Sequence, residues 1–346
     1  MTLGWERPQG RSLQFGLVGT GFVAKVRAEA IAADGRATIV AVSGHHADTA
    51  RAFAKTHGIA QSCTSWETLV QLPQLDGVIV CNINCDHAAV VRAALEADKS
   101  VVVEYPLALS DTEAAALIAL AQERGLLLHV EHIELFGGLH QAMLANLPQI
   151  GTPRYVRYGT AVPQRPAPQK WTYHADLFGF PLVGALSRLH RLTNLFGAVD
   201  SVTSQLQYAS ATQAGYFTQC RCVAQLRFRS GVVAEVLYAK GENTWRSQRW
   251  MEVEGDRGAL IFEGDRGTLL SAEGETAIEV GSRRGLFAKD TAAVLDALIE
   301  GKSLYVTPQE SLYALQVAAA AETSAHTGNP ITVTAPYPGA TLTAPS

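Results

Sequence analysis

Three groups of residues have types and spacings suited to chemistry. Gly19-Thr20-Gly21-Phe22-Val23-Ala24 fits the pattern G-x-G-x-x-G/A. There the first glycine permits a tight turn, the second lets the backbone approach a pyrophosphate, and a small third residue allows close helix–strand packing. The N–H groups opening the next helix then meet the phosphates of a dinucleotide. The second group is Val42-Ser43-Gly44-His45-His46, where an NAD enzyme would carry an acid for the ribose 2′-hydroxyl. The first acid is Asp48, while Ser43 and His45 can donate to a 2′-phosphate, so the pattern points to NADPH (NADP+). The third is Arg188 and Arg191, three residues apart and so near one helix face, among Leu186, Leu189 and Leu192. Arginine, with a pKa above about 12, is a poor acid; it stabilises developing negative charge or binds a carboxylate.

A fourth cluster, His129, Glu131, His132 and Glu134, has metal-like composition. On a strand, however, His129 and Glu131 face one way and His132 the other, so the ligands do not converge and no metal is expected. Glu131 and Glu134 are kept as candidates to face a substrate. Five cysteines at irregular spacing make no disulfide framework, and neither Cys81/Cys85 nor Cys220/Cys222 has partners for zinc.

These groups need a scaffold. Fully apolar short runs at Leu13–Val18, Thr38–Val42, Gly77–Cys81, Ser100–Val103 and Leu126–Val130 alternate with the helical stretches Phe22–Ala33, Thr49–Thr56, Ala88–Ala97 and Asp111–Arg124. That alternation predicts an α/β domain, a Rossmann-type doubly wound parallel sheet covered on both faces. Beyond Glu134 the pattern changes to strands at Tyr155–Thr160, Val202–Tyr208, Arg221–Phe228, Val232–Tyr238, Arg249–Glu254, Gly258–Phe262 and Gly267–Ser271, joined by short Gly-, Asp- or Asn-bearing turns. With helices at Val183–Phe196, Thr291–Glu300 and Gln309–Ala325, this reads as an α+β domain, an open, mostly antiparallel sheet flanked by helices. The expected division is a dinucleotide domain over 1–131 (1–12 a flexible tail), a substrate domain over 132–334 and a disordered tail over 335–346.

The 346 residues accommodate two such domains. A formal charge of −4 argues against nucleic acid as a partner, because phosphate neutralisation needs a basic surface. No apolar run approaches the roughly 20 residues of a membrane span, and the N-terminus lacks an apolar signal core, so a cytoplasmic protein is expected. Monomer and homodimer both remain open.

Asn82-Ile83-Asn84-x-x-His87, followed by Glu104-Tyr105-Pro106-Leu107-Ala108, resembles the (T/N)-x-N-x-x-H and E-K-P-L-A signatures of the glucose–fructose oxidoreductase and inositol dehydrogenase family. The resemblance implies cofactor contacts from Asn82, Ile83, Asn84, His87, Glu104 and Tyr105. The lysine of E-K-P is Tyr105 here, and the sugar-site pattern D-x-x-x-H falls on Ser187 and Arg191. Both departures remove groups that would take a proton from an alcohol. Tyrosine in the lysine's place, with the longer words LLHVEHIEL (127–135), WTYH (171–174), FGFPLV (178–183), ALSR (185–188) and GSRRGLF (281–287), is similar to the cyanobacterial biliverdin reductases within that family.

That resemblance implies hydride transfer from NADPH to the central methine carbon of biliverdin, giving bilirubin. It points to Arg188 as the residue assisting pyrrole protonation, with Tyr105 beside it at the site. Arg188, Arg191, Glu131, Glu134, Trp171 and Tyr173 become the candidate substrate contacts, the two aromatics bounding a flat tetrapyrrole. Reduction of another linear tetrapyrrole or planar electrophile, or a non-catalytic pigment and NADPH sensor, would use the same residues.

Overall fold

Short, mostly apolar runs form the first sheet, with the three-residue strand Gln61–Cys63 the polar exception. Its strands are β1 (Leu13–Val18), β2 (Ala37–Ser43), β3 (Gln61–Cys63), β4 (Gly77–Val80), β5 (Ser100–Val103) and β6 (Leu128–Val130). All are parallel, in the order β3-β2-β1-β4-β5-β6. Helices α1 (Phe22–Asp34), α2 (Ala47–His57), α3 (Trp66–Val70), α4 (His87–Glu96) and α5 (Asp111–Glu123) connect them. Strand order reverses between β1 and β4, the position where open α/β sheets bind ligands beyond their carboxyl ends. The chain leaves β1 there through Gly19, whose φ of 120° suits glycine and whose Cβ would lie 2.5 Å from the Cys81 carbonyl oxygen.

The computed structural model describes residues 11–338, in two compact units. The first runs up to Ile133 and also takes Gly285–Leu312; the second takes Glu134–Arg284 and resumes at Tyr313. The segment Gly285–Leu312 therefore departs from the sequence expectation that 132–334 is one domain. The reason is apolar: Val294, Leu295, Ala297 and Leu298 of α10 (Leu286–Glu300) join the core formed by Leu13, Phe15, Leu17, Ala24, Ala28 and Ile31.

The same helix brings in a buried acid. Asp290 is fully buried and ion-pairs with Arg27, which lies among the apolar residues of α1. Arg27 also pairs with Glu104 (2.8 Å) and its guanidinium lies 4.9 Å from the Phe287 ring centre. Asp290 further accepts hydrogen bonds from His129 Nε2 (2.7 Å) and Tyr305 Oη (2.6 Å). Burial by itself would raise the Asp290 carboxyl, but Arg27, His129 and Tyr305 outweigh it and hold it well below the usual range.

The second unit contains α6 (Gly138–Asn146) and a nine-stranded sheet. Its strands are β7 (Pro153–Pro163), β8 (Val199–Ser210), β9 (Phe217–Phe228), β10 (Val233–Gly241), β11 (Gln248–Gly255), β12 (Gly258–Glu263), β13 (Arg266–Ser271), β14 (Gly274–Ile278) and β15 (Ile331–Thr332). The order is β14-β13-β12-β11-β7-β10-β9-β8-β15; β7 and β10 run parallel and the other neighbours antiparallel. The helix expected over Val183–Phe196 is broken. After α7 (Ala175–Phe178) the chain forms α8 (Pro181–Gly184), turns at Ala185 and restarts as α9 (Ser187–Phe196). Gly184 sits so close to Phe178 that its Cβ would lie 2.5 Å from the ring. Helix α11 spans Pro308–Thr327.

The ends of the chain are more ordered than the sequence implies where they are described. Arg11 makes a bidentate pair with Asp76 (2.6 and 2.7 Å), and Tyr337 donates to the Thr193 carbonyl (2.8 Å). The expected tail segments 1–10 and 339–346 lie outside the described residues. Among the described residues no helix is long and apolar enough to cross a membrane.

Removing one member of a buried ion pair strands the other. Arg27→Met should lower unfolding stability by about 3–5 kcal/mol in urea melts. The double variant Arg27→Met/Asp290→Leu should recover much of that loss; a double variant no more stable than the single would contradict the pairing. The lowered Asp290 value makes its contribution complete above about pH 4 and lost as pH falls through the folded value. In Asp290→Asn, stability should therefore fall less steeply below about pH 4 than in the parent chain, as acid titration monitored by circular dichroism would show.

Candidate functional site

On the first unit, the turn after β1 leaves α1 with Gly21 as its N-cap and no side-chain capping bond. A Cβ at Gly21 would meet nothing within 4 Å, so the backbone there stands open to a ligand. Ala24 is fully buried against the sheet, Thr20 and Val23 are half-buried, and Phe22 is 76% exposed beside the open turn. Gly44 packs on Thr20, to whose methyl group its Cβ would come within 2.8 Å. Glycine, open backbone and an uncapped helix start together fit the phosphates of a dinucleotide.

The end of β2 differs in one respect from the sequence expectation. Ser43 is 1% exposed, with a buried hydroxyl that has no hydrogen-bond partner among the described residues, and its carbonyl accepts from Gly19 N (2.8 Å). With that hydroxyl buried, the polar groups exposed at this strand end are those of His45 and His46. His45 and His46 are exposed, their ring centres 4.6 Å apart, and Asp48 is paired with Arg51.

After β4, Asn82 and Ile83 are half-buried, and Asn84 and His87 are buried. His87 Nδ1 donates to the Pro106 carbonyl (2.7 Å) and Nε2 lies 3.3 Å from the Asn82 carbonyl. The ring thus ties the loop after β4 to the loop after β5. Burial lowers its pKa, partly offset by those two carbonyls, so it is held neutral at physiological pH.

Glu104 and Tyr105 leave β5 at its carboxyl end, both half-buried. Arg27 Nε donates to Glu104 (2.9 Å), fixing the carboxylate. The Tyr105 ring stacks on His132, centres 5.6 Å apart and planes within 8°. His132 is itself buried, with Nε2 2.8 Å from Ser311 Oγ and its backbone N–H donating to Tyr305 Oη (3.2 Å). Glu131 is 2% exposed and turns back to accept from Ile133 N (2.5 Å).

In the second unit Arg188 lies in the first turn of α9. It is half-buried, reaches Ser187 Oγ (3.3 Å) and Thr160 Oγ1 (3.5 Å), and rests 5.1 Å from the Tyr238 ring centre. Thr160 and Tyr238 are register partners on β7 and β10, so one rung of the sheet supports it. Arg191 is buried, donating to Tyr158 Oη (2.9 Å) and the Glu134 carbonyl (3.3 Å). The Glu134 carboxylate accepts from His190 Nδ1 (3.0 Å). Arg191 and Glu134 thus both help to pack α9. Tyr173 is also core, in a cluster with Phe217 and Cys220, whereas Trp171 is half-buried against Phe178 (6.2 Å).

Arg27, Asp290, Tyr305 and Ser311 support Glu104 and Tyr105 but carried no motif. One signal existed: Arg27 falls among Ala24, Ala28 and Ile31, a buried stripe of α1, and a charge in such a stripe requires a buried counter-charge.

Residues 13–132 match the model of an oxidoreductase family with an NAD-binding Rossmann fold, and residues 146–333 match the C-terminal alpha/beta domain of the same family. A solved structure of biliverdin reductase from Synechocystis sp. PCC 6803, in complex with biliverdin and NADP+, is 47% identical, covers 91% of this chain and 99% of that one, and superposes with a TM-score of 0.89. A 1,5-anhydro-D-fructose reductase of Ensifer adhaerens is 27% identical over 91% of this chain and 97% of its own length. Biliverdin reductase A of Mus musculus is 32% identical over 41% of this chain and 45% of its own. With both family domains matched in order, the chain belongs to the GFO/IDH/MocA oxidoreductase family, an NAD-binding Rossmann domain followed by a C-terminal alpha/beta domain.

Proposed function

We propose that the chain is an NADPH-dependent biliverdin reductase, reducing the central methine carbon of biliverdin to give bilirubin. The observation that carries this reading is the 47% identity, across 91% of the chain, to a reductase solved with biliverdin and NADP+. Gly19–Ala24 would hold NADPH, with His45 available to its 2′-phosphate, and the cofactor would supply the hydride. The absence of an acid at the end of β2 favours the phosphorylated cofactor, since a carboxylate there would repel it.

The chain's own residues have three tasks in this reading. Glu104, fixed by Arg27, and Tyr105, fixed by His132, give the carboxyl end of β5 one geometry. Tyr105 cannot replace the lysine base of sugar-oxidising relatives; it offers a flat ring and a hydroxyl to a planar ligand. Arg188 opposes the negative charge that builds on the tetrapyrrole as hydride arrives, and orients a water or propionate that carries the proton to a pyrrole nitrogen. It does not surrender its own proton.

The direct test is a visible-absorption time course with biliverdin and NADPH, and NADH in a parallel cuvette. Loss of the red biliverdin band with growth of a bilirubin band is expected, faster with NADPH; biliverdin binding without spectral conversion would favour a pigment sensor. Arg188→Lys should lower kcat about 10²–10³-fold with KM for NADPH within about twofold, because fork geometry is lost while the cofactor site is untouched. Unchanged turnover would remove Arg188 from the mechanism. His45→Asp should raise KM for NADPH about tenfold or more and spare NADH, in steady-state kinetics with each cofactor.

A further inference from the structure

A buried lysine stands next to Arg188 and no step above uses it. Lys240, on β10 two residues after Tyr238 and so on the same strand face, is 6% exposed. Its ammonium donates to the Thr172 carbonyl, in the turn Trp171–Tyr173. Four aromatic rings surround it: Phe178 at 3.7 Å from ring centre to Nζ, Tyr173 at 4.9 Å, Phe217 at 5.3 Å and Tyr238 at 5.6 Å. Among the described residues no carboxylate pairs with this ammonium; burying it so is costly, and the Thr172 carbonyl with the aromatic faces offsets that cost in part. Tyr238 is the ring on which the Arg188 guanidinium rests. The two cations therefore share one aromatic support.

We propose that Lys240 is a positioning residue for Arg188: its ammonium pins the Trp171–Tyr173 turn and the Tyr238 ring, and thereby sets the orientation in which Arg188 meets the substrate. The inference rests on the role given to Arg188 above. Protonated, Lys240 holds the Thr172 carbonyl by a charge-assisted bond and the rings by cation–π attraction. Deprotonated, it loses the charge behind both.

Burial lowers the Lys240 pKa to about 8, with Cys220 opposing and Arg188 adding to the shift. The other groups facing it behave differently. Cys220 on β9 is pushed up to about 12 by burial, and the phenols of Tyr173 and, on β8, Tyr208 are raised by burial too. Arg188 of α9 keeps its proton throughout. The carboxylates of biliverdin titrate far below this range.

The test is kcat and KM against pH, from 6.5 to 10, for the parent chain, Lys240→Met, Lys240→Arg and Arg188→Lys. In the parent, kcat should fall on the alkaline side with an apparent pKa near 8. Lys240→Met should lower kcat about ten- to a hundredfold with KM for NADPH unchanged, and should lose the alkaline limb. Lys240→Arg should restore turnover and carry the limb beyond pH 10; if Lys240→Met does not fold, this variant decides alone. A limb that stays near pH 8 in either variant, or a folded Lys240→Met with parental kcat, overturns the inference while the Arg188 result stands. A parent chain that does not convert biliverdin overturns both.

Discussion

One buried guanidinium organises the first unit. Arg27 lies on the inner stripe of α1, where its neighbours are alanine and isoleucine, and it bonds at once to Asp290 of α10 and Glu104 at the end of β5. A charge at that depth is tolerated only when paired and hydrogen-bonded. The requirement therefore fixes three things together: the seat of α1 behind the dinucleotide turn, the docking of a helix from far along the chain, and the carboxylate beside Tyr105. His129 and Tyr305 complete the set by donating to Asp290, and Tyr305 accepts in turn from the backbone of His132, the residue on which Tyr105 stacks. The carboxyl end of β5 is thus built on an ionic cluster rather than on the loops around it.

The second unit solves a similar problem with rings in place of carboxylates. Arg188 and Lys240 are supported by Tyr238, Phe178, Tyr173 and Phe217, and among the described residues no acid is paired with Lys240. An acid would have neutralised the local positive potential; aromatic faces accommodate a cation while leaving its charge in place. Such a potential suits a reaction in which negative charge appears on a conjugated ligand.

The parallel sheet was legible because strands buried on both faces have little choice but continuous apolar runs, and Leu13–Val18 and Ser100–Val103 appear with the bounds read from sequence. Gly19 was legible because the turn demands a residue free of Cβ. Direction was harder. Ser43 and His45 are equally polar in sequence, yet one hydroxyl is buried and the other ring exposed, since orientation at a strand end depends on the turn that follows. Arg188 and Arg191 look equivalent on an unbroken helix; the break at Ala185 leaves Arg188 in the first turn and puts Arg191 in the packed interior. Helix α10 joins the first unit through its apolar stripe and through Asp290, which meets a partner 263 residues away in sequence. Local pattern does not carry that information.

The destination of the hydride is the decisive point. It is tested most directly by a single turnover with NADPH deuterated at C4, using each of the two stereochemically labelled forms, followed by proton NMR of the pigment. Deuterium in the central methylene bridge of the product, from one of the two forms, is the predicted result. Deuterium at any other carbon of the pigment, or product formed with no label from either form, would contradict hydride transfer to the central methine.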